Sequence, residues 1–256
     1  LLVIPALADI YGILAPEGGT GSPLLVLPTL ETHLGLAYVH DPNFTYSTFL
    51  HPGFDLRVRS WRLSTHAYFA LDDANTRGRA ELAYRFFGPE PRALAGVKDG
   101  SFLDVEFALT HHRYTSNGFS VTTGELNVEG RLDLERVGPT LRGSFAELGL
   151  GIAYAAHRYG GFGTEVNDLL TPRFGFGMYM GHSGYPRGEL VAYYDHRHDG
   201  FAGGLKSRGL GSGIAGHFGL AGRVLASRTW GLTFDAHVGS AYVGELGAFV
   251  RYGGQR

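Results

Sequence analysis

The chain has 256 residues, 22 of them basic and 24 acidic, for a formal net charge of −2. A balance this close to neutral, with no basic run and no RNA- or DNA-binding motif, argues against a nucleic-acid partner. The absence of cysteine excludes a disulfide framework and thiolate metal sites. Forty glycines together with 17 Phe, 14 Tyr and 2 Trp suit tight turns, closely packed strands and aromatic girdles better than a globular enzyme.

The chain opens on its longest apolar run, "LLVIPALA", residues 1–8, which ends in an Ala-x-Ala pattern before Asp9. This reads as the tail of a secretory signal peptide. Residues 1–27 are therefore expected to be a signal remnant, a plug or an N-terminal extension on one barrel domain that spans 1–256. No run reaches the ~18 apolar residues of a transmembrane helix.

Beyond residue 27 the pattern is period 2. Residues 54–71 alternate twice with a change of phase: Asp55, Arg57 and Arg59 are polar on odd numbers, Arg62, Ser64 and His66 on even ones. Parity cannot change inside a regular strand, so a tight turn is expected near Ser60-Trp61. In 79–87, Ala80, Leu82, Tyr84 and Phe86 oppose Arg79, Glu81 and Arg85; in 101–112, Leu103, Val105, Phe107 and Leu109 oppose Asp104, Glu106, Thr110 and His112. In 124–137, Leu126, Val128, Leu132 and Leu134 oppose Glu125, Asn127, Glu129, Arg131, Asp133 and Glu135. Further on, Phe174, Phe176, Met178 and Met180 oppose Arg173 and Tyr179, and Leu232, Phe234, Ala236 and Val238 oppose Thr233, Asp235 and His237. About twelve strands follow, near 28–40, 44–59, 62–72, 78–88, 101–112, 122–137, 141–157, 170–182, 186–197, 212–227, 229–241 and 244–252. Short connections such as Gly138-Pro139-Thr140 alternate with longer ones near 112–122, 157–169 and 197–211.

An alternating strand has either a dry apolar face and a wet charged surface, or a lipid face and a polar lumen. The polar parity here is mixed in sign and also carries Gly149, Gly151, Gly175, Gly177 and Gly219; a crowded lumen needs such small residues and a water-facing sheet does not. The stretch "GAFVRY", Gly247–Tyr252, resembles the C-terminal β-signal of bacterial outer-membrane proteins, although four residues follow it. The fold class is accordingly all-β: an antiparallel up-and-down transmembrane β-barrel in a bacterial outer membrane. Leu126, Leu132 and Leu134 would face lipid. Asp104, Glu106, Glu129, Arg131, Asp133, Arg173, Asp195, Arg223 and Asp235 would line the pore, with Glu147, Glu189, Glu245 and Arg251 on the same parity.

Three strand ends share a device. "HHRYTSNGF" (111–119), "HRYGGF" (157–162) and "HRHDGF" (196–201) each run from His-Arg to Gly-Phe. They place His112, Arg113, His157, Arg158, His196, Arg197, His198 and Asp199 at one rim. The plain reading is an interfacial anchor; the sharper one is a binding cluster, since arginine takes phosphate or carboxylate in a bidentate fashion. Outer-membrane lipid or lipopolysaccharide is then the expected partner. Two histidines two apart, His196 and His198, make a poor metal set, and no metal or cofactor is expected.

The stretch "YTSNGF", followed by Asn127, resembles outer-membrane phospholipase A, a twelve-stranded barrel whose motif is His-x-Ser-Asn-Gly with a later Asn. The resemblance implies Ser116 as nucleophile and Asn127 as the residue that orients the base. Ser116, Asn117 and Gly118 match; Tyr114 stands at the histidine position, which leaves His112, four residues before Ser116 and roughly 13 Å away on a regular strand. Lipid A deacylases also pair His with Ser at a strand end and match no better. Three functions are open at this point: a porin-like channel for small polar or anionic solutes or a glycan, an outer-membrane lipid hydrolase, and a structural barrel that anchors envelope protein partners.

Overall fold

A computed structural model describes residues 28–41, 45–71, 76–87, 101–114, 118–159, 162–182, 185–196, 216–227, 229–239 and 242–253. The strands are β1 (Thr29–Asp41), β2 (Thr45–Val58), β3 (Trp61–Ala70), β4 (Thr76–Phe87), β5 (Phe102–Tyr114), β6 (Phe119–Asp133) and β7 (Ser144–Tyr159), followed by β8 (Phe162–Leu170), β9 (Arg173–His182), β10 (Tyr185–Asp195), β11 (His217–Leu225), β12 (Trp230–Gly239) and β13 (Tyr242–Gly253). Sequential strands pair antiparallel except β8 and β9, which both pair with β7, and β13 returns to β1, with Gly247 opposite Gly35. The sheet is thus closed and has no free edge around the ring, as a membrane barrel requires.

β8 and β9 act as one stave. Ile152 pairs Leu170 and Gly149 pairs Arg173 in the same register, and the Thr171 amide donates to the Gly151 carbonyl at 3.0 Å. Only Pro172, which lacks an amide proton, interrupts the ladder. Twelve staves therefore close the ring, as the alternation predicts. The reading of 157–169 as a loop is corrected: β7 continues to Tyr159 and β8 returns along it.

The phase change at residues 59–60 is a two-residue hairpin turn, with Val58 opposite Trp61. Arg59 has φ 52, a left-handed conformation that costs a non-glycine residue energy. Asparagine tolerates it better. Arg59→Asn should raise the stability of the folded barrel by about 0.5 kcal/mol, seen as a higher urea midpoint at unchanged slope.

β6 stops earlier than expected. Leu134–Arg136 and Pro139–Leu141 form short 3₁₀ turns. Leu134 and Glu135 leave the strand faces assigned to them; Glu135 is exposed and lies 3.6 Å from Arg142. The rest of the β6 assignment holds, with Leu126 and Leu132 exposed and Glu125, Asn127 and Asp133 buried.

The same division runs around the ring. Leu34, Leu36, Leu82, Phe107, Leu150, Ile152, Phe176, Met178, Leu220 and Leu246 all point outward and are exposed. Two aromatic girdles bound this belt. Trp61, Phe86, Phe87, Trp230 and Tyr252 lie at the short-turn end, and Tyr38, Phe69, Phe218 and Tyr242 lie toward the other. Amphipathic rings concentrate at membrane–water interfaces. An apolar belt between aromatic girdles around a polar interior is the arrangement of bacterial outer-membrane barrels.

Candidate functional site

Inward residues line the barrel with ion pairs. Arg79 of β4 reaches three carboxylates. Its Nε donates to Glu81 at 2.5 Å, its two terminal nitrogens clasp Glu125 at 3.2 and 3.1 Å, and Nη2 lies 3.7 Å from Glu106. Arg62 of β3 donates to the same Glu106 at 2.8 Å. Glu106 and Glu125 are almost fully buried, which a carboxylate tolerates only when paired and hydrogen-bonded. Arg85 grips Asp104 through two parallel bonds of 2.8 and 3.1 Å, the fork geometry that arginine provides and lysine lacks.

A second network crosses β6, β7 and β10. Arg131 donates to Glu147 at 2.6 Å and to Glu189 at 2.9 Å, while its guanidinium stands over the Phe145 ring at 4.1 Å. Arg173 lies 3.3 Å from Glu129 and 3.8 Å from Asp195. A third group joins Arg223 and Arg251 to Glu31, the latter at 3.0 Å. Tyr179 donates to Asp133 at 2.9 Å and Tyr193 to Asp235 at 2.7 Å. Inward glycines make this crowding possible: a Cβ on Gly219 would meet the Tyr193 ring at 2.4 Å, and one on Gly177 the Phe145 ring at 2.3 Å. All nine residues assigned to the pore from sequence stand on the inward face.

The lumen wall is unequal in charge. Besides the residues just named, Arg57, Arg77, Asp55 and Glu245 also hold inward positions. Among the described residues, nine inward arginines thus meet thirteen carboxylates. Within the wall is a cavity of about 330 Å³, lined among others by His33, His51, His66, Arg79, Glu189, Asp235 and Glu245. Toward the loop-bearing end, Ala37, Val39, Phe49 and Val243 form a small apolar cluster with Tyr68 and Ala70 packed on it.

Among the described residues, the rim set divides between the two faces of the wall. His112 is buried and inward, whereas Arg113 and Arg158 are exposed on the outer face, flanking Ser120 in register. His157 stands opposite Val121, which in turn faces His112 across β5–β6. His196 follows β10, its ring 2.7 Å from the Tyr194 hydroxyl. Arg197, His198, Asp199 and Ser116 lie outside the described residues. The arrangement implied by the phospholipase resemblance meets a geometric obstacle. Asn127 pairs with Glu106 and His112 with Val121, so six residues of strand, roughly 20 Å, separate them. Asn127 instead accepts from Thr171 at 3.0 Å and lies beside Glu125; it cannot orient His112.

The structure brings together three histidines, His33, His51 and His66, beside Glu245, on the adjacent strands β1, β2, β3 and β13, and separately packs His217 against His237. The sequence signal was inward parity repeated in consecutive strands. It was overshadowed by the His-Arg pairs at strand ends.

No family model matches the sequence, and no curated protein matches it. Among solved structures, the KdgM porin is similar with a TM-score of 0.49 at 8% identity, over 86% of this chain and 99% of that one. The translocator domain of the autotransporter NalP from Neisseria meningitidis gives 0.45 at 13% identity, over 98% of each chain. The Acinetobacter baumannii outer membrane protein Omp33 gives 0.43 at 8% identity, over 89% of this chain and 99% of that one.

Proposed function

We propose that the protein is a porin-like barrel of the bacterial outer membrane that passes small polar solutes and favours cations. The observation that carries this reading is the charged lumen around the 330 Å³ cavity, in which carboxylates outnumber arginines among the described residues. Rings and ladders of one charge sign set ion preference in pores. The anionic solutes expected from the rim arginines lose their support, because Arg113 and Arg158 point away from the lumen. Reconstituted in a planar bilayer, the protein should give discrete conductance steps with K⁺ more permeant than Cl⁻. Neutralising Asp235 and Glu189 together (Asp235→Asn, Glu189→Gln) should move the permeability ratio toward unity, most at low salt, where the screening length grows from ~10 Å at 0.1 M to ~30 Å at 0.01 M. An absence of conductance, or anion selectivity in the wild type, would reject the reading.

A second reading concerns the outer wall. Arg113 and Arg158 lie on the lipid side at the loop-bearing end, four residue pairs above a hollow of about 450 Å³ lined by Phe107, Leu126, Ile152, Tyr154 and Leu170 around Gly124. This pairing of basic heads above an apolar recess supports a phosphate-bearing outer-membrane lipid as partner. Arg113→Gln with Arg158→Gln should reduce the lipid phosphate that stays with the purified barrel while conductance is retained.

A further inference from the structure

We propose that the lumen holds a divalent transition-metal site formed by His33, His51 and Glu245, with His66 orienting His51. The three residues come from β1, β2 and β13, which are neighbours in the ring. His51 Nδ1 lies 2.5 Å and His33 Nε2 3.3 Å from the same oxygen, Glu245 Oε1, and one ligand atom from each residue falls within 4.8 Å of the others. Ligand atoms bound to one ion at about 2.0–2.2 Å stand a little over 3 Å apart. The His33 contact already has that separation, the shorter His51–Glu245 hydrogen bond opens, and the two imidazole nitrogens settle to the same spacing.

Three independent features point to a cation. His33 Nε2 is buried and makes no hydrogen bond, an unusual state for a ring nitrogen beside a carboxylate. His51 Nε2 lies 3.1 Å from His66 Nδ1. With His51 ligating through Nδ1, its other nitrogen donates to His66, the kind of outer hydrogen bond that fixes the tautomer and ring angle of a ligating imidazole. Tyr68 stacks on His51 at 3.8 Å between centroids and holds the ring from the other side. Finally, Glu245 stands directly opposite Asp235 across β12 and β13. Like charges facing each other in a ladder repel, and a bound cation offsets that repulsion.

The backbone makes room for this set. A Cβ on Gly53 would meet the His66 ring at 2.4 Å, and one on Gly247 the His33 ring at 2.6 Å. Two imidazoles and one carboxylate suit Zn²⁺ and its neighbours in the transition series better than Ca²⁺ or Mg²⁺, which prefer all-oxygen shells. The set borders the 330 Å³ cavity, so the remaining coordination positions are open to water or a small solute. This inference does not depend on conduction, and it holds or fails whether or not the barrel passes ions.

The test uses the untagged barrel, folded in detergent and stripped of metal, with ZnCl₂ as probe in calorimetry and elemental analysis. One Zn²⁺ per chain is expected. His33→Ala and Glu245→Gln should abolish stoichiometric binding, and His66→Phe should weaken it about 10–100-fold. His112→Gln, another buried histidine but on β5, should leave binding unchanged. If a ligand variant does not fold, Cu²⁺ electron paramagnetic resonance of the wild type reads the ligands directly, and coupling to two imidazole nitrogens is expected. No stoichiometric Zn²⁺ in the wild type, equal binding by the His33 and Glu245 variants, or an oxygen-only Cu²⁺ spectrum would overturn the proposal.

Discussion

Leu126→Arg is expected to destabilise the barrel in lipid vesicles by about 2–4 kcal/mol, the depth-dependent cost of a guanidinium on the lipid face near the bilayer midplane. Leu126 is half exposed, central in β6, and neighboured by Phe107 and Ile152 across the two ladders. In a water-facing sheet the same substitution would be close to neutral, because surface changes of this kind move stability by no more than ~0.5 kcal/mol. Urea titration of the vesicle-folded protein therefore separates the two environments in a single measurement. A loss confined to a few tenths of a kcal/mol would contradict the assignment of this face to lipid. Leu36→Arg on β1 and Phe176→Arg on β9 should follow the same rule with depth, since both stand on the same apolar belt.

Arg79→Met should cost more, about 3–5 kcal/mol, the range seen when one partner of a buried ion pair is removed. The cause is what remains. Glu125 and Glu106 are 2% and 1% exposed, and without the guanidinium Glu125 loses both of its 3.1–3.2 Å bonds. Glu106 keeps Arg62 at 2.8 Å, so Glu125 bears most of the penalty. The check is a rescue. Arg79→Met combined with Glu125→Gln removes the uncompensated charge and should recover much of the loss, whereas Glu125→Gln alone leaves Arg79 with Glu81 and should be milder. Equal destabilisation of the single and double Arg79 variants would show that the arginine acts through packing of its stem and not through charge.

Alternation is local: a strand's side chains must go in or out in turn, so the inward placement of Asp104, Glu129, Arg131 and Asp235, the outward Phe174 and Met178, and the turn at Arg59-Ser60 were all legible. So was the outward direction of Arg113, which shares parity with Leu109 and not with His112; the attraction of a His-Arg motif obscured it. The end of β6 was misjudged because Leu134 and Glu135 continue the alternating pattern while Gly138 and Pro139 bend the chain into 3₁₀ turns before a strand can use it. Residues 162–169 were taken for a loop because their composition has no clear period, yet pairing with β7 supplies the hydrogen bonds that make them a strand.

By itself the sequence determined the fold class, the approximate number of staves and the faces of the strands whose alternation is clear, because those follow from a period of two and from the cost of putting charge into lipid. Only the tertiary structure decided which charges meet. Closure of the ring fixes the stagger between neighbours, and that stagger is a property of all twelve staves together. It sets Asn127 far below His112, aims Arg79 at Glu125, and slides His33, His51 and Glu245 along three strands until their nitrogens and oxygen face one another. Residues more than two hundred positions apart in sequence become neighbours there, as His33 and Glu245 do, because the last strand must hydrogen-bond to the first before the backbone is satisfied inside a membrane.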